Sequence, residues 1–260
     1  MTYPLIMLWA HPRSMSTAIE RCMRERGDLD CLHEPFLHYY YHERSEKPLP
    51  HFDSDQEYPD SYQGTREMLL RRAESSAVFA KDMSYYIMPE LLQDSPFCER
   101  ITHCFLIRNP MRSILSYYKL DPSVDLYEIG IEAQWQHFCG LQAQGISAVV
   151  LEAEAVQQDT NHAMKQFWSA LGLDFREQAL GWNQDSAPQD WQYVEGWHQQ
   201  ATRSTGIRQA ESDPQKYQRE FDAKCAESPQ LNDYLEHHRP FYEKLKQYSL
   251  TRVTADETAD

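Results

Sequence analysis

Leu5-Ile6-Met7-Leu8-Trp9-Ala10-His11-Pro12-Arg13-Ser14-Met15-Ser16-Thr17 is the stretch on which the fold turns. Leu5–Ala10 is an unbroken apolar run of strand length, as a strand covered on both faces requires. Residues 14–26 then take up helical periodicity. A strand passed through a short turn into a helix opens a βαβ unit. Such a turn aims backbone N–H groups and the positive end of the helix dipole at one spot. Ser16 and Thr17 add hydroxyls there, and Arg13 adds a fixed positive charge. Taken alone, the segment has two readings. It is a phosphate cradle, or it is an ordinary helix start capped by Ser14 or Ser16 with Arg13 on the surface.

Further apolar, β-rich runs occur at residues 31–33, 77–80, 103–107 and 148–151. Helical patterns at 64–74, 85–93, 111–119 and 126–143 alternate with them. Alternation of this kind predicts an α/β fold of three layers, with a central parallel sheet flanked by helices. Ligands of such sheets bind beyond the carboxyl ends of the strands, so the residues just after each run are the ones to inspect. Residues 1–250 read as one domain. Residues 38–62, with Tyr39-Tyr40-Tyr41 and several prolines, read as an insertion or lid. Helical patterns at 216–225 and 231–247 form a C-terminal cap, and the polar residues 251–260 a frayed tail.

Composition narrows the partners. The 260 residues carry a formal net charge of −15, which repels nucleic acid and other polyanions and makes any local group of basic residues informative. No apolar run approaches the roughly 18 residues of a membrane helix. The apolar N-terminus lacks a basic leader and a cleavage site, so a cytoplasmic location is expected. The six cysteines show no zinc spacing, and the histidines no ligand pattern on one helix face, so no metal is expected.

The fourth run ends in Phe105-Leu106-Ile107-Arg108-Asn109-Pro110, and a helix follows that carries Ser116, Tyr117 and Tyr118. An arginine at the end of a central strand has to be paired or bound to a ligand. Arg108 and Ser116, eight residues apart, are spaced to hold one phosphate between them. A structural salt bridge is the other reading.

Together, Pro12-Arg13-Ser14-Met15-Ser16-Thr17 and Arg108-Asn109-Pro110 with Ser116 resemble the two donor-binding elements of the sulfotransferase family. That family uses 3′-phosphoadenosine-5′-phosphosulfate and leaves adenosine 3′,5′-bisphosphate. The first element resembles its 5′-phosphosulfate loop, and the second its 3′-phosphate element. Residues 149–154 and 167–173 are similar to further family segments. Met15 departs from the family's usual glycine, which matters if the position needs positive φ. The resemblance also implies an active-site set like that of the protein-tyrosine and related Golgi branch. In that set Glu34 is the general base, Arg13 and Lys81 stabilise the leaving phosphate, and Ser204 and Thr205 lie near the donor. The cytosolic branch has a histidine just after the strand-end lysine, where this chain reads Lys81-Asp82-Met83. His33 is the alternative base, placed on the opposite face from Glu34 if the strand persists that far.

The implied reaction is in-line sulfuryl transfer to a hydroxyl of a small molecule, lipid or peptide tyrosine. Two rivals are a P-loop kinase or NTPase and a non-catalytic nucleotide-binding protein. The first needs Gly-Lys-Ser/Thr in the loop, and this chain lacks it. The second is disfavoured by the intact Arg13, Glu34, Lys81 and Arg108.

Overall fold

The computed structural model describes residues 2–45, 58–184, 186, 188, 189, 191, 197, 201–209, 213 and 215–250. Much of the expected insertion, residues 46–57, and the expected tail, 251–260, lie outside the described residues.

Five parallel strands run in the order β2-β3-β1-β4-β5. They are β1 Leu5–Ala10, β2 Asp30–His33, β3 Val78–Met83, β4 Thr102–Ile107 and β5 Ala148–Glu152. β1 is central because all six of its residues are apolar and buried. Its alternating side chains feed two cores. Ile6 and Leu8 face one layer, and Leu5, Met7 and Trp9 face the other. The first layer holds α1 Ser16–Glu25, with Ile19, Cys22 and Met23 inward. The second holds α2 Tyr62–Arg72, α3 Pro110–Tyr118 and α4 Ile131–Ala143. α5 Thr160–Ala170 returns to the first layer through Met164, Phe167 and Trp168. α6 Lys216–Glu227 and α7 Gln230–Lys246 close the second layer, where Phe221, Leu231, Leu235, Tyr242 and Leu245 are buried. The expected three-layer α/β fold with a helical C-terminal cap is present.

Two expected helices are interrupted. The segment 85–93 divides into Ser84–Ile87 and Glu90–Gln93, because Pro89 has no N–H to continue the first turn. The segment 126–143 divides at Gly130, whose φ of +77° is left-handed. A Cβ there would stand 3.0 Å from the Tyr85 ring and 3.4 Å from the His11 Cβ. Gly130 therefore lets the chain pass between the first loop and the tyrosines behind the site.

The third strand is longer than its apolar run. Lys81 and Asp82 belong to β3, aligned with Leu8 and Trp9 of β1, rather than following the strand. Both are fully buried, and each is held by partners that replace water. Asp82 accepts the N–H groups of Phe36 at 2.8 Å and Met83 at 2.9 Å. Burial, then the nearby Glu34 charge, push the Asp82 carboxyl well up, and those two N–H groups oppose the rise.

Candidate functional site

The sheet order makes β1 the point where the chain switches from one half of the sheet to the other. β2 and β3 lie to one side of it, and β4 and β5 to the other. Crevices form at such a switch, outside the carboxyl ends of the strands. Here that place is a cavity of about 580 Å³. The ends of β1, β2 and β4 each bring a charged residue to it in Arg13, Glu34 and Arg108, and β3 adds Lys81.

The first loop bends sharply to reach α1. Arg13 at φ 63° and Met15 at φ 76° both adopt left-handed backbone, and Met15 is the residue before the helix. The position that glycine usually fills in the family does need positive φ, and Met occupies it at a cost of about 1–2 kcal/mol. Ala18 and Ile19 direct their N–H groups to the Met15 carbonyl. No acidic residue occupies the first turn of α1, so its positive end meets no competing charge from the helix itself. Met15, Ser16 and Thr17 line the cavity. Ser14 does not: it is fully buried, and its N–H bonds the His11 carbonyl.

Arg13 and Ser116 meet. The guanidinium Nε donates to Ser116 Oγ at 3.1 Å, and Nη1 to the Trp197 carbonyl at 2.8 Å. Arg108 Nη1 donates to the Arg13 carbonyl at 2.6 Å, which ties the end of β4 to the first loop. Burial, then the charge of Arg112, lower the Arg108 pKa to about 10, and its Nε has no partner among the described residues. Arg112 lies one helical turn further along α3. It stacks on Tyr217 with its guanidinium carbon 4.3 Å from the ring centroid and pairs with Glu154 at 3.3 Å. Arg208 and Lys216 also line this end of the cavity. Several cations thus gather around one space in an acidic chain, which is the arrangement a polyanionic ligand needs.

At the other end stands Glu34. Its φ of 42° turns it out of the β2 alternation in front of Pro35. The strand therefore does not persist to Glu34, and Glu34 is not set on the face opposite His33. His33 Nε2 lies 3.7 Å from Glu34 Oε1. Lys81 Nζ donates to Glu34 Oε1, and the Tyr86 hydroxyl approaches Glu34 Oε2 at 3.3 Å. His33 itself is turned toward α1, where Nδ1 donates to Glu20 Oε2 at 2.6 Å. Burial, then the Lys81 charge, hold the His33 pKa well down, so the ring is neutral. Glu34 and Lys81 line the cavity and His33 does not. Of the two residues near the donor in the Golgi-like set, Ser204 lines the cavity, its hydroxyl bonded to the Ala201 carbonyl at 2.8 Å. Thr205 is not part of the lining, and its carbonyl accepts the Trp182 N–H.

Several lining residues are not assigned to the site from sequence, although the Tyr-rich stretch at 39–41 and Tyr117 stand out there. Tyr41, Tyr85, Tyr86 and Tyr117 surround the Glu34 end, and Arg112, Arg208 and Lys216 the other. Arg112 had a legible signal, since it lies four residues after Arg108 on the same helix. The tyrosines and Arg208 come together only through the tertiary fold.

Among the described residues, no helix is long and apolar enough to cross a membrane. A family profile described as "Sulfotransferase domain" matches residues 5–247. Two curated relatives come from Arabidopsis thaliana. "Branched-chain-amino-acid aminotransferase-like protein 2" is 25% identical over 245 residues, 93% of this chain and 41% of that protein. "Branched-chain-amino-acid aminotransferase-like protein 1" is 24% identical over 251 residues, 94% of this chain and 42% of that protein. The chain spans about two fifths of the length of these relatives. Among solved structures, the "Sulfotransferase Domain from the Curacin Biosynthetic Pathway" aligns with a TM-score of 0.53 at 12% identity. The alignment covers 86% of this chain and 98% of that one, a likeness of fold.

Proposed function

Because the chain belongs to the sulfotransferase domain family, we propose that it moves a sulfuryl group from 3′-phosphoadenosine-5′-phosphosulfate to an acceptor hydroxyl, with Glu34 as general base. The observation that carries this reading is the shared cavity. It joins a helix N-terminus, Arg108 with Ser116, and the Lys81–Glu34 pair. The first two suit the two phosphate groups of the donor, and the third suits the transfer.

In this mechanism the acceptor O–H gives its proton to Glu34 as its oxygen attacks sulfur in line. The bond from sulfur to the 5′-phosphate oxygen breaks, and charge builds on that phosphate. Lys81 leaves Glu34 for the phosphate and, with the loop N–H groups, stabilises it. Arg13, bonded to Ser116, adds its charge from the side of the 3′-phosphate element. The transferring sulfuryl group carries less charge than a phosphoryl group, so the reading asks for no metal clamp. A carboxylate base in place of histidine is the Golgi-branch arrangement. The likeness proposed is to that branch's chemistry and does not extend to its substrates.

Donor selectivity tests the reading. Adenosine 3′,5′-bisphosphate should raise the melting temperature well above the rise given by AMP or ATP, because only it fills both phosphate positions. Arg108→Ala should remove that difference, at a cost of about 1.5–3 kcal/mol of binding. Equal shifts from AMP and the bisphosphate would sink the assignment.

A further inference from the structure

We propose that the acceptor is a small alcohol bearing an alkylated ammonium group, seated in the corner that Tyr41, Tyr85, Tyr86 and Tyr117 form beside Glu34. This rests on the sulfotransferase reading above and adds the acceptor class to it. The four rings share the cavity with Met83 and Leu115. Tyr41 and Tyr86 meet at 71° with centroids 6.0 Å apart, and Tyr85 and Tyr86 at 70° and 4.7 Å. Rings set at such angles wall a space on more than one side.

The Tyr86 hydroxyl approaches Glu34 Oε2 at 3.3 Å, and the Tyr85 and Tyr86 rings pack edge to face. The wall therefore offers ring surface and a single strong acceptor, the Glu34 carboxylate. That suits a ligand with one reacting hydroxyl and a body without further hydrogen-bonding groups.

Charge then separates an ammonium body from a neutral one. Burial is the main reason the Tyr41 and Tyr117 pKa values rise, and the Glu128 charge adds to both. The Glu34 charge adds to the rise at Tyr41. The same negative potential favours a cation in that space. The cations facing the cluster are otherwise engaged. Lys81 is paired with Glu34. Arg13, near Tyr117, is bonded to Ser116. Arg44 lies over Tyr40 at 6.0 Å but donates to the Tyr86 and Met88 carbonyls, pairs with Glu90, and does not line the cavity. An alkylated ammonium against several aromatic rings gains attraction that a neutral isostere lacks.

The step balances. The alcohol O–H breaks, its proton goes to Glu34, and its oxygen bonds sulfur. The electron pair of the broken S–O bond stays on the 5′-phosphate. The product is a zwitterionic sulfate ester.

The test uses choline and its neutral carbon isostere, dimethylbutanol, titrated calorimetrically into the full chain saturated with adenosine 3′,5′-bisphosphate. Choline should bind at least about tenfold more tightly and be the better acceptor of label from radiolabelled donor. Tyr41→Leu should weaken choline about tenfold and leave nucleotide affinity within about twofold. An isostere that binds as well as choline, or no binding of either, overturns the inference while nucleotide binding keeps the donor reading. Unchanged choline affinity in Tyr41→Leu also overturns it. Failure of the bisphosphate to bind overturns the donor reading itself.

Discussion

Glu34 and His33 are adjacent in sequence and separated in task by one backbone angle. At φ 42° the Glu34 carboxylate swings over Lys81 and into the cavity, whereas His33 keeps its strand direction and bonds Glu20. Glu34→Gln should therefore lower the chemical step by about 10²–10⁴-fold while nucleotide affinity is kept. His33→Gln should cost about 1–3 kcal/mol of stability, because Glu20 Oε2 loses the imidazole while Arg24 and Trp191 stay on Oε1, and leave the chemical step within about tenfold. Single-turnover assays at saturating donor compare the two. An inactive His33 variant beside an active Glu34 variant would move the base assignment to His33. At this scale the sequence was a good guide to identity and a poor one to posture. Strand-end position and family resemblance single out Glu34, Lys81 and Arg108. Nothing local announces that a glutamate before proline will take up left-handed backbone, or that the Arg13 guanidinium will turn to Ser116.

Among elements, the passage from β1 to α1 was the most legible, because an apolar run and a helical period meet within a few residues. Its strain was not. Met15 holds the left-handed position before α1 while its side chain packs against the core under that helix. Met15→Gly would relieve backbone strain and lose that packing, two terms of about 1 kcal/mol each, so stability should stay within about 1 kcal/mol of the parent. A β-branched residue is a worse fit to positive φ. Met15→Val should fall at least about 1 kcal/mol below Met15→Gly in urea titrations, and equal midpoints would contradict the strain account. Two helices were over-read because hydrophobic period carries through Pro89 and Gly130, where backbone chemistry stops the turn. β3 was under-read for the opposite reason. Lys81 and Asp82 end the apolar run, yet partners reached across the sheet let the strand continue through them.

The molecule as a whole buries many imidazoles, and this sets its response to acid. Burial pushes His11 down to about 3, and His103 and His238 down to about 4. His33 and His137 also lie well below their ordinary value. Unfolded histidine takes its proton near 6.5, so between that pH and about 4 the unfolded chain binds more protons than the folded one. This share of stability is complete above about 6.5 and is lost as pH falls, by roughly 2 kcal/mol per imidazole between pH 6.5 and 5. Asp82 and Glu154, both pushed up chiefly by burial, act the other way and are outnumbered. The urea midpoint should therefore drop from pH 7 to pH 5, and His238→Gln should flatten the drop. A variant with the parental slope would remove His238 from the account. What stayed illegible at this scale is what distance hides. The contact of Arg13 with Trp197 spans 184 positions, and no pattern along the chain anticipates it. Among the described residues, the non-glycine positions at positive φ are Arg13, Met15 and Glu34, and all three line the one cavity. Glycine would relax the backbone at each of them, but would take away the Arg13 guanidinium, the Glu34 carboxylate or the packing of Met15. The left-handed backbone of the described chain is thus gathered where the cavity's charges stand, which is how strain is distributed when it is held at a functional site.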